Sequence, residues 1–215
     1  MSEVDGLDGM RARLAEWAHE LPPFVRAAAL GDTAELTRLL AAGTPIGEGD
    51  DRNWTALHAA AASSRLDAVT LLLDSGAEVN ARDTKGFTPL LNAIEAHPGV
   101  VAALLAAGAD PEAREPRAGW RPLLRFAEYG NAPGVRLLLA AGADVDACEP
   151  DGYTALMAAA EYGERECAEL LLAAGADPAR TYWDRTPAEL ARHRGHSELA
   201  DRLAAAARTA PSGGG

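Results

Sequence analysis

Apolar residues fall at helical spacing in short stretches, separated by glycine, proline and aspartate. Leu7, Met10, Leu14, Trp17 and Leu21 outline an amphipathic helix over 7–21, which Pro22-Pro23 would end. Phe24 to Leu30 reads as a second helix, Gly31-Asp32 as a turn, and Thr33 to Ala42 as a third helix stopped by Gly43. At the other end, Ala188 to Arg194 and Ser197 to about Arg208 form two more helices around Gly195-His196. There Leu199 and Leu203 face inward, and Arg192, Arg194 and Arg202 outward.

Between these ends the pattern repeats. Asn53-Trp54-Thr55-Ala56-Leu57-His58 is followed at steps of 33 residues by Gly86-Phe87-Thr88-Pro89-Leu90-Leu91, Gly119-Trp120-Arg121-Pro122-Leu123-Leu124 and Gly152-Tyr153-Thr154-Ala155-Leu156-Met157. A second phrase, Leu-Leu-x-x-Gly-Ala, places its glycine at Gly76, Gly108, Gly142 and Gly175. A fixed period of this length marks stacked units that bury their apolar faces against one another and present a continuous surface. In each unit the Thr-Pro or Thr-Ala step caps the first helix, the glycine ends the second in left-handed geometry, and the leucines of the second helix face the neighbouring units.

These residues resemble the ankyrin repeat. Thr88-Pro89-Leu90, the run Leu71-Leu72-Leu73-Asp74-Ser75-Gly76-Ala77-Glu78-Val79-Asn80-Ala81, and Gly175-Ala176-Asp177-Pro178 are close to the family signature. The resemblance covers about Pro22 to Ala207 and implies an all-α solenoid of helix-turn-helix units with β-hairpin or loop fingers. The expected organisation is a capping helix and loose start over 1–21, then an array over 22–208 and a flexible tail over 209–215. The array divides into a partial repeat at 22–49, full repeats at 50–82, 83–114, 115–148 and 149–180, and a partial repeat at 181–208. The resemblance also implies that His58 ties adjacent hairpins by hydrogen bonds. Leu91, Leu124, Met157 and Glu189 hold that position elsewhere, so the tie is mostly absent.

Two units depart from the pattern. The glycine spacing is 32 between Gly76 and Gly108 and 34 between Gly108 and Gly142. One residue is missing near His97-Pro98-Gly99, and one is added in the hairpin Arg114-Glu115-Pro116-Arg117. Arg121 replaces a capping threonine, a change that costs about 1 kcal/mol. The second and third full repeats are therefore expected to be the softest.

Composition narrows the function. The chain has 215 residues, is 48% hydrophobic and 24% charged, and carries a formal charge of −12. That field opposes nucleic-acid binding and favours a basic partner. No apolar run is long enough for a membrane span and no apolar signal core precedes the helices, so a cytoplasmic protein is expected. Cys148 and Cys167 are too few for a disulfide framework and lack zinc spacing, and read as reduced thiols. His193-x-x-His196 supplies two ligands at most, and Gly195-His196 matches the ordinary turn between helices. With no phosphate loop and no nucleophile motif, no cofactor, metal or catalytic residue is expected.

What remains is a stripe in register with the repeat. Trp54, Phe87, Trp120 and Tyr153 stand at the finger roots, where they serve either to pack on the next finger or to bind. Glu95, Glu128 and Glu161 form an acidic row, and Tyr129 and Tyr162 follow the last two of them. The resemblance places both positions on the concave groove where partners of this family dock. Tyrosine and tryptophan give large contact area at low entropic cost, and acidic neighbours steer a basic partner. The reading is a monomeric, non-catalytic adaptor or regulator that binds a basic protein, centred on Trp120, Glu128, Tyr129, Tyr153, Glu161 and Tyr162. An inhibitory, immunity-like subunit of one enzyme and an enzyme with an unrecognised site stay open as alternatives.

Overall fold

The computed structural model describes residues 21–209. The helix expected at 7–21 and the tail from 210 onward lie outside the described residues. Among the described residues there are twelve helices and no strands. In chain order they are α1 (Pro23–Leu30), α2 (Thr33–Ala41), α3 (Ala56–Ala62), α4 (Leu66–Asp74), α5 (Pro89–Asn92) and α6 (Pro98–Ala106), then α7 (Pro122–Glu128), α8 (Ala132–Ala140), α9 (Ala155–Tyr162), α10 (Arg165–Ala173), α11 (Pro187–His193) and α12 (Ser197–Thr209).

The local chemistry sets these limits. Thr55, Thr88, Thr154 and Thr186 occupy the N-caps of α3, α5, α9 and α11. Thr88 Oγ1 accepts from the Leu91 N–H at 3.3 Å and Thr154 Oγ1 from the Met157 N–H at 3.4 Å. Thr186 forms a reciprocal box with Glu189, whose carboxylate accepts the Thr186 N–H at 2.8 Å. The glycines of the Gly-Ala phrase end the second helices with φ between 87° and 96°, a region closed to most side chains. His58 is buried, and its Nδ1 accepts from the Thr55 N–H at 3.2 Å. That leaves Nε2–H to donate to the Phe87 carbonyl at 3.1 Å, the hairpin tie implied by the sequence. Burial holds the imidazole below its ordinary pKa, which favours this neutral form.

The chain divides into two compact units, Met1–Asp110 and Pro111–Gly215. In the first unit α1, α3 and α5 stack in one layer, and α2, α4 and α6 in a second. In the second unit α7, α9 and α11 stack in the same way, α8 packs on α10, and α12 packs on α11. Alanine makes the close stacking possible: Ala59, Ala60 and Ala61 in α3 and Ala158, Ala159 and Ala160 in α9 are 0% exposed. The expectation that the second helices bury their leucines needs narrowing. One leucine of each run is fully buried (Leu72, Leu104, Leu138 and Leu171), while its neighbours are only partly covered, because a single face of each helix meets the layer beside it.

The two irregular repeats depart where the spacing places them. In the second full repeat α5 is one turn long, and turns lead from Ala93 to Ala96 before α6 begins. The His97 N–H reaches back to Ser64 Oγ at 2.8 Å. Glu95 therefore lies beyond its helix, whereas Glu128 and Glu161 lie within theirs; the shared register does not give a shared helical position. In the third full repeat the added residue lengthens the finger. The Glu115 N–H donates to the Trp120 carbonyl at 2.9 Å, one residue wider than the matching closures from Asp50 to Trp54, Asp83 to Phe87 and Glu149 to Tyr153. The Glu115 carboxylate is buried and accepts the backbone N–H groups of Arg117 at 2.8 Å and Ala118 at 2.6 Å, which secures the wider loop.

The fourth finger has a different polar balance. In the first two fingers Asp50 accepts the Arg52 and Trp54 N–H groups, each at 2.9 Å, and Asp83 accepts those of Lys85 at 2.9 Å and Phe87 at 2.8 Å. Glu149 holds the same place in the fourth finger. Burial, then the negative charges of Asp151 and Glu128, push its carboxyl up to about 7 against the opposing pull of Arg125 and Arg114. Elsewhere in the second unit, Gly134 in α8 lies against the buried ring of Phe126, and a Cβ there would approach Phe126 Cδ1 to 2.2 Å.

Two measurements follow. Gly134→Ala is expected to lower stability in chemical denaturation by about 1–3 kcal/mol, because the Phe126 ring must move to admit the methyl group. Glu149 binds its proton more tightly folded, at about 7, than unfolded, near 4.5, so folding loses stability as pH rises through that window. Glu149→Gln is therefore expected to raise the melting temperature at pH 8 and leave it nearly unchanged at pH 4; equal effects at both values would contradict the assignment.

Candidate partner-binding face

In the second unit, the finger root supplies Trp120, and α7 with its C-cap brings Arg125, Glu128 and Tyr129 to it at helical spacing. The Arg125 guanidinium lies 4.4 Å from the centre of the Trp120 ring and 5.0 Å from that of Tyr129. It pairs with Glu128 one turn on, and its Nη2 donates to Tyr129 Oη at 3.3 Å. The Arg125 and Glu128 side chains are only 13% and 18% exposed, so this pair is screened far less than a surface ion pair. Glu128 thus has its own counter-charge within the repeat.

The next repeat places its own acid in a comparable setting. Tyr153 Oη donates to Glu161 Oε2 at 2.7 Å, and Arg194, 33 residues further on, donates to Glu161 Oε1 through Nε at 3.0 Å and through Nη2. Burial alone would raise the Glu161 pKa, but the hydrogen bonds from Arg194 and Tyr153 outweigh it and hold the carboxyl below its ordinary range. Tyr153 is pushed the other way by burial and by its bond to Glu161. The Tyr162 hydroxyl is also raised, by burial and by the charges of Glu128 and Glu161. Through the bonds of Tyr153 and Arg194 to Glu161, α9, its finger root and the end of α11 are laced together by polar groups.

The rings do not share one environment. Tyr129 and Tyr162 are 46% and 52% exposed. Tyr153 is half-buried and meets Tyr182 edge to face at 4.8 Å between centroids. Beyond Tyr182 stands Trp183, 79% exposed and 6.1 Å from the Tyr182 ring. It tips the last finger, where Tyr182 and Arg185 exchange backbone hydrogen bonds of 2.9 and 3.0 Å around a two-residue turn. Trp183 and Asp184 take φ of 50° and 59° there, positions that asparagine and glycine usually fill.

In the first unit Trp54, Phe87 and Glu95 are all half-buried. The Trp54 N–H and carbonyl both belong to the turn closed by Asp50, and the Phe87 carbonyl receives His58, so both backbones are structural whatever the rings do. Glu95 Oε2 is buried without a hydrogen-bond partner, and burial raises its carboxyl above the ordinary range. The nine stripe residues are thus split between the units, with Trp54, Phe87 and Glu95 on the first and the other six on the second.

Arg125, Arg194, Tyr182 and Trp183 are absent from the stripe as read from sequence. Arg125 could have been found four residues before Tyr129 and three before Glu128, and Arg194 one period after Glu161. Tyr182-Trp183 belongs to a finger whose turn is one residue shorter, so that Thr154 and Thr186 are 32 apart. Among the described residues no group of three or more His, Cys, Asp or Glu is placed to hold a metal ion. The ring of His196 packs over Gly163, and burial pushes the Cys167 thiol up to about 12, too high for a thiolate at neutral pH. No described helix is long and apolar enough to cross a membrane.

A family model described as ankyrin repeats (3 copies) matches residues 24–115, 101–182 and 123–210. Among solved structures, the ankyrin repeat domain of human ASB11 has a TM-score of 0.78 at 28% identity, covering 86% of this chain and 83% of its own. An ankyrin repeat domain from Acinetobacter baumannii AYE has a TM-score of 0.75 at 34% identity, covering 86% of this chain and 97% of its own. Among curated proteins, the palmitoyltransferase Hip14 of Drosophila melanogaster is 36% identical over 94 residues, 43% of this chain and 15% of that protein. The mouse ankyrin repeat and MYND domain-containing protein 1 is 56% identical over 41 residues, 19% of this chain and 4% of that protein. The chain therefore spans less than a sixth of either curated relative. Ankyrin repeats serve in general as protein–protein interaction modules and are typically non-catalytic. The period, the capped helix pairs and the matched folds agree, and this chain belongs to the ankyrin repeat family.

Proposed function

We propose that the chain is a non-catalytic adaptor or regulator that captures a basic partner protein through the concave groove and the fingers. The observation that carries this reading is the pair Tyr129 and Tyr162. Their rings stand about half exposed, while Arg125 donates to the Tyr129 hydroxyl and the charges of Glu128 and Glu161 flank that of Tyr162. Aromatic rings fixed in this way before binding lose little freedom when a partner arrives, which is the property that makes tyrosine an anchor.

Trp183 supports the same reading on the finger side. A tryptophan in left-handed backbone costs of order 1–3 kcal/mol, and its exposed ring recovers little of that by packing. A position that opposes folding in this way is better explained by what it presents. Glu128 and Glu161 have a different part in this proposal from the one their spacing suggests. Each is committed to an arginine, and Glu161 to the Tyr153 hydroxyl as well, so they brace the aromatic platform. The formal charge of −12 still favours a basic partner through its long-range field.

The test is capture from lysate followed by measured affinity for the protein retained. Tyr129→Ala with Tyr162→Ala is expected to weaken that affinity by about 10- to 100-fold at unchanged helicity. Trp183→Asn is expected to raise the melting temperature, since asparagine tolerates left-handed backbone, and to weaken the partner as well. Unchanged affinity in the double variant would remove the proposed face.

A further inference from the structure

The three glutamates of the stripe share a sequence register but not an electrostatic state. Glu128 has Arg125 and Glu161 has Arg194, each guanidinium paired with its carboxylate. Glu95 has neither. Among the described residues no hydrogen bond or ion pair reaches its carboxylate, and Oε2 is buried. The reason lies in the sequence. Asn92 stands in the register of Arg125, and its amide is already bound to the Thr88 carbonyl at 3.2 Å. The residue in the register of Arg194 is Glu128, another acid. Among the described arginines of the first unit, Arg38 is committed to Glu35, Arg52 to Asp50 and Asp51, Arg65 to the Ala29 carbonyl and Arg82 to the Gly86 carbonyl, while the charge of Arg26 acts on Glu35.

A carboxylate that is partly buried without a partner costs free energy in the isolated chain. Keeping it at the register where two neighbours are each neutralised by a guanidinium leaves the same requirement open once more. We propose that Glu95 is the docking point for a cationic side chain of the partner protein, an arginine or lysine that completes the ion pair this repeat lacks. The proposal rests on the reading of the chain as a protein-binding module and adds the chemistry of one contact. A metal ion is a poor occupant, because among the described residues no second and third acidic ligand gathers around Glu95. A guanidinium suits it better, since it can donate to Oε1, the oxygen left outside the buried Oε2, while its charge compensates the whole carboxylate and matches the sign of the field around the chain.

The experiment uses acetyl-Ala-Arg-Ala-amide as the probe and the carboxyl carbon signals of the ¹³C-labelled chain as the readout, at low salt. The Glu95 signal, assigned by its loss in Glu95→Gln, is expected to shift saturably. Its midpoint should lie about threefold or more below that of Glu128, Glu161 or the exposed Asp51, because a partly buried pair is stronger than a solvated one. The matching peptide with glutamine in place of arginine is expected to leave it still. If the Glu95 signal only drifts with that of Asp51, or if Glu128 or Glu161 saturates first, the proposal is overturned. The decisive measurement is made on the unaltered chain, so it does not depend on how well Glu95→Gln folds. It is also independent of the tyrosine double variant: an unresponsive Glu95 beside a partner lost on removing Tyr129 and Tyr162 would dismiss this contact and leave the binding module standing.

Discussion

The close approach of one alanine-rich helix to the next is the contact on which the rest depends. Ala59 to Ala61 and Ala158 to Ala160 are completely buried, so each first helix lies near enough to its neighbour for ties between repeats to form. His58 reaches the Phe87 carbonyl, and Arg194 reaches Glu161. Larger side chains at the alanine positions would separate the layers and leave these bonds too long. Small residues here therefore do two things: they bury apolar surface, and they set the distance at which the polar groups between repeats can meet.

Those ties are not of one kind. In the first unit the link is a neutral histidine bonded to backbone, whereas in the second it is a chain of tyrosine, glutamate and arginine. The exchange matters for binding. Hydroxyls and carboxylates spent inside the molecule cannot also attract a partner, and what they leave outward is the ring. The face of the second unit is thus more aromatic, and less acidic, than its residue list suggests. Of the three stripe glutamates, the unpaired one is found in the repeat where a missing residue cut the helix short and no arginine was supplied.

Much of this could be read from the sequence, for reasons tied to particular residues. The steps of 33, the threonine caps and the left-handed glycines each act within a few residues of themselves, so spacing was enough to place them. The deletion near His97 and the insertion near Glu115 were legible because they shift a count. The pairings of Glu128 and Glu161 were not. A periodic row of acids looks the same whether or not arginines fold onto it, and Arg194 reaches Glu161 only because the last repeat stacks on the one before. Trp183 went unseen because its finger is contracted and breaks the register that made the other aromatics visible. Which leucine of each run would be buried needed the angle of every second helix, and that is fixed by packing between layers.

The fingers carry a further consequence. Their roots close by a backbone hydrogen bond whether two residues intervene, as between Tyr182 and Arg185, three, as between Asp50 and Trp54, or four, as between Glu115 and Trp120. In each case the helix after the root begins at the same point. Loop length is thus uncoupled from the stacking of the helices, so residues gained or lost at a tip need not be absorbed by the core. Such a molecule can vary what it touches by altering the protruding loops alone, while its stability stays in the keeping of the buried alanines.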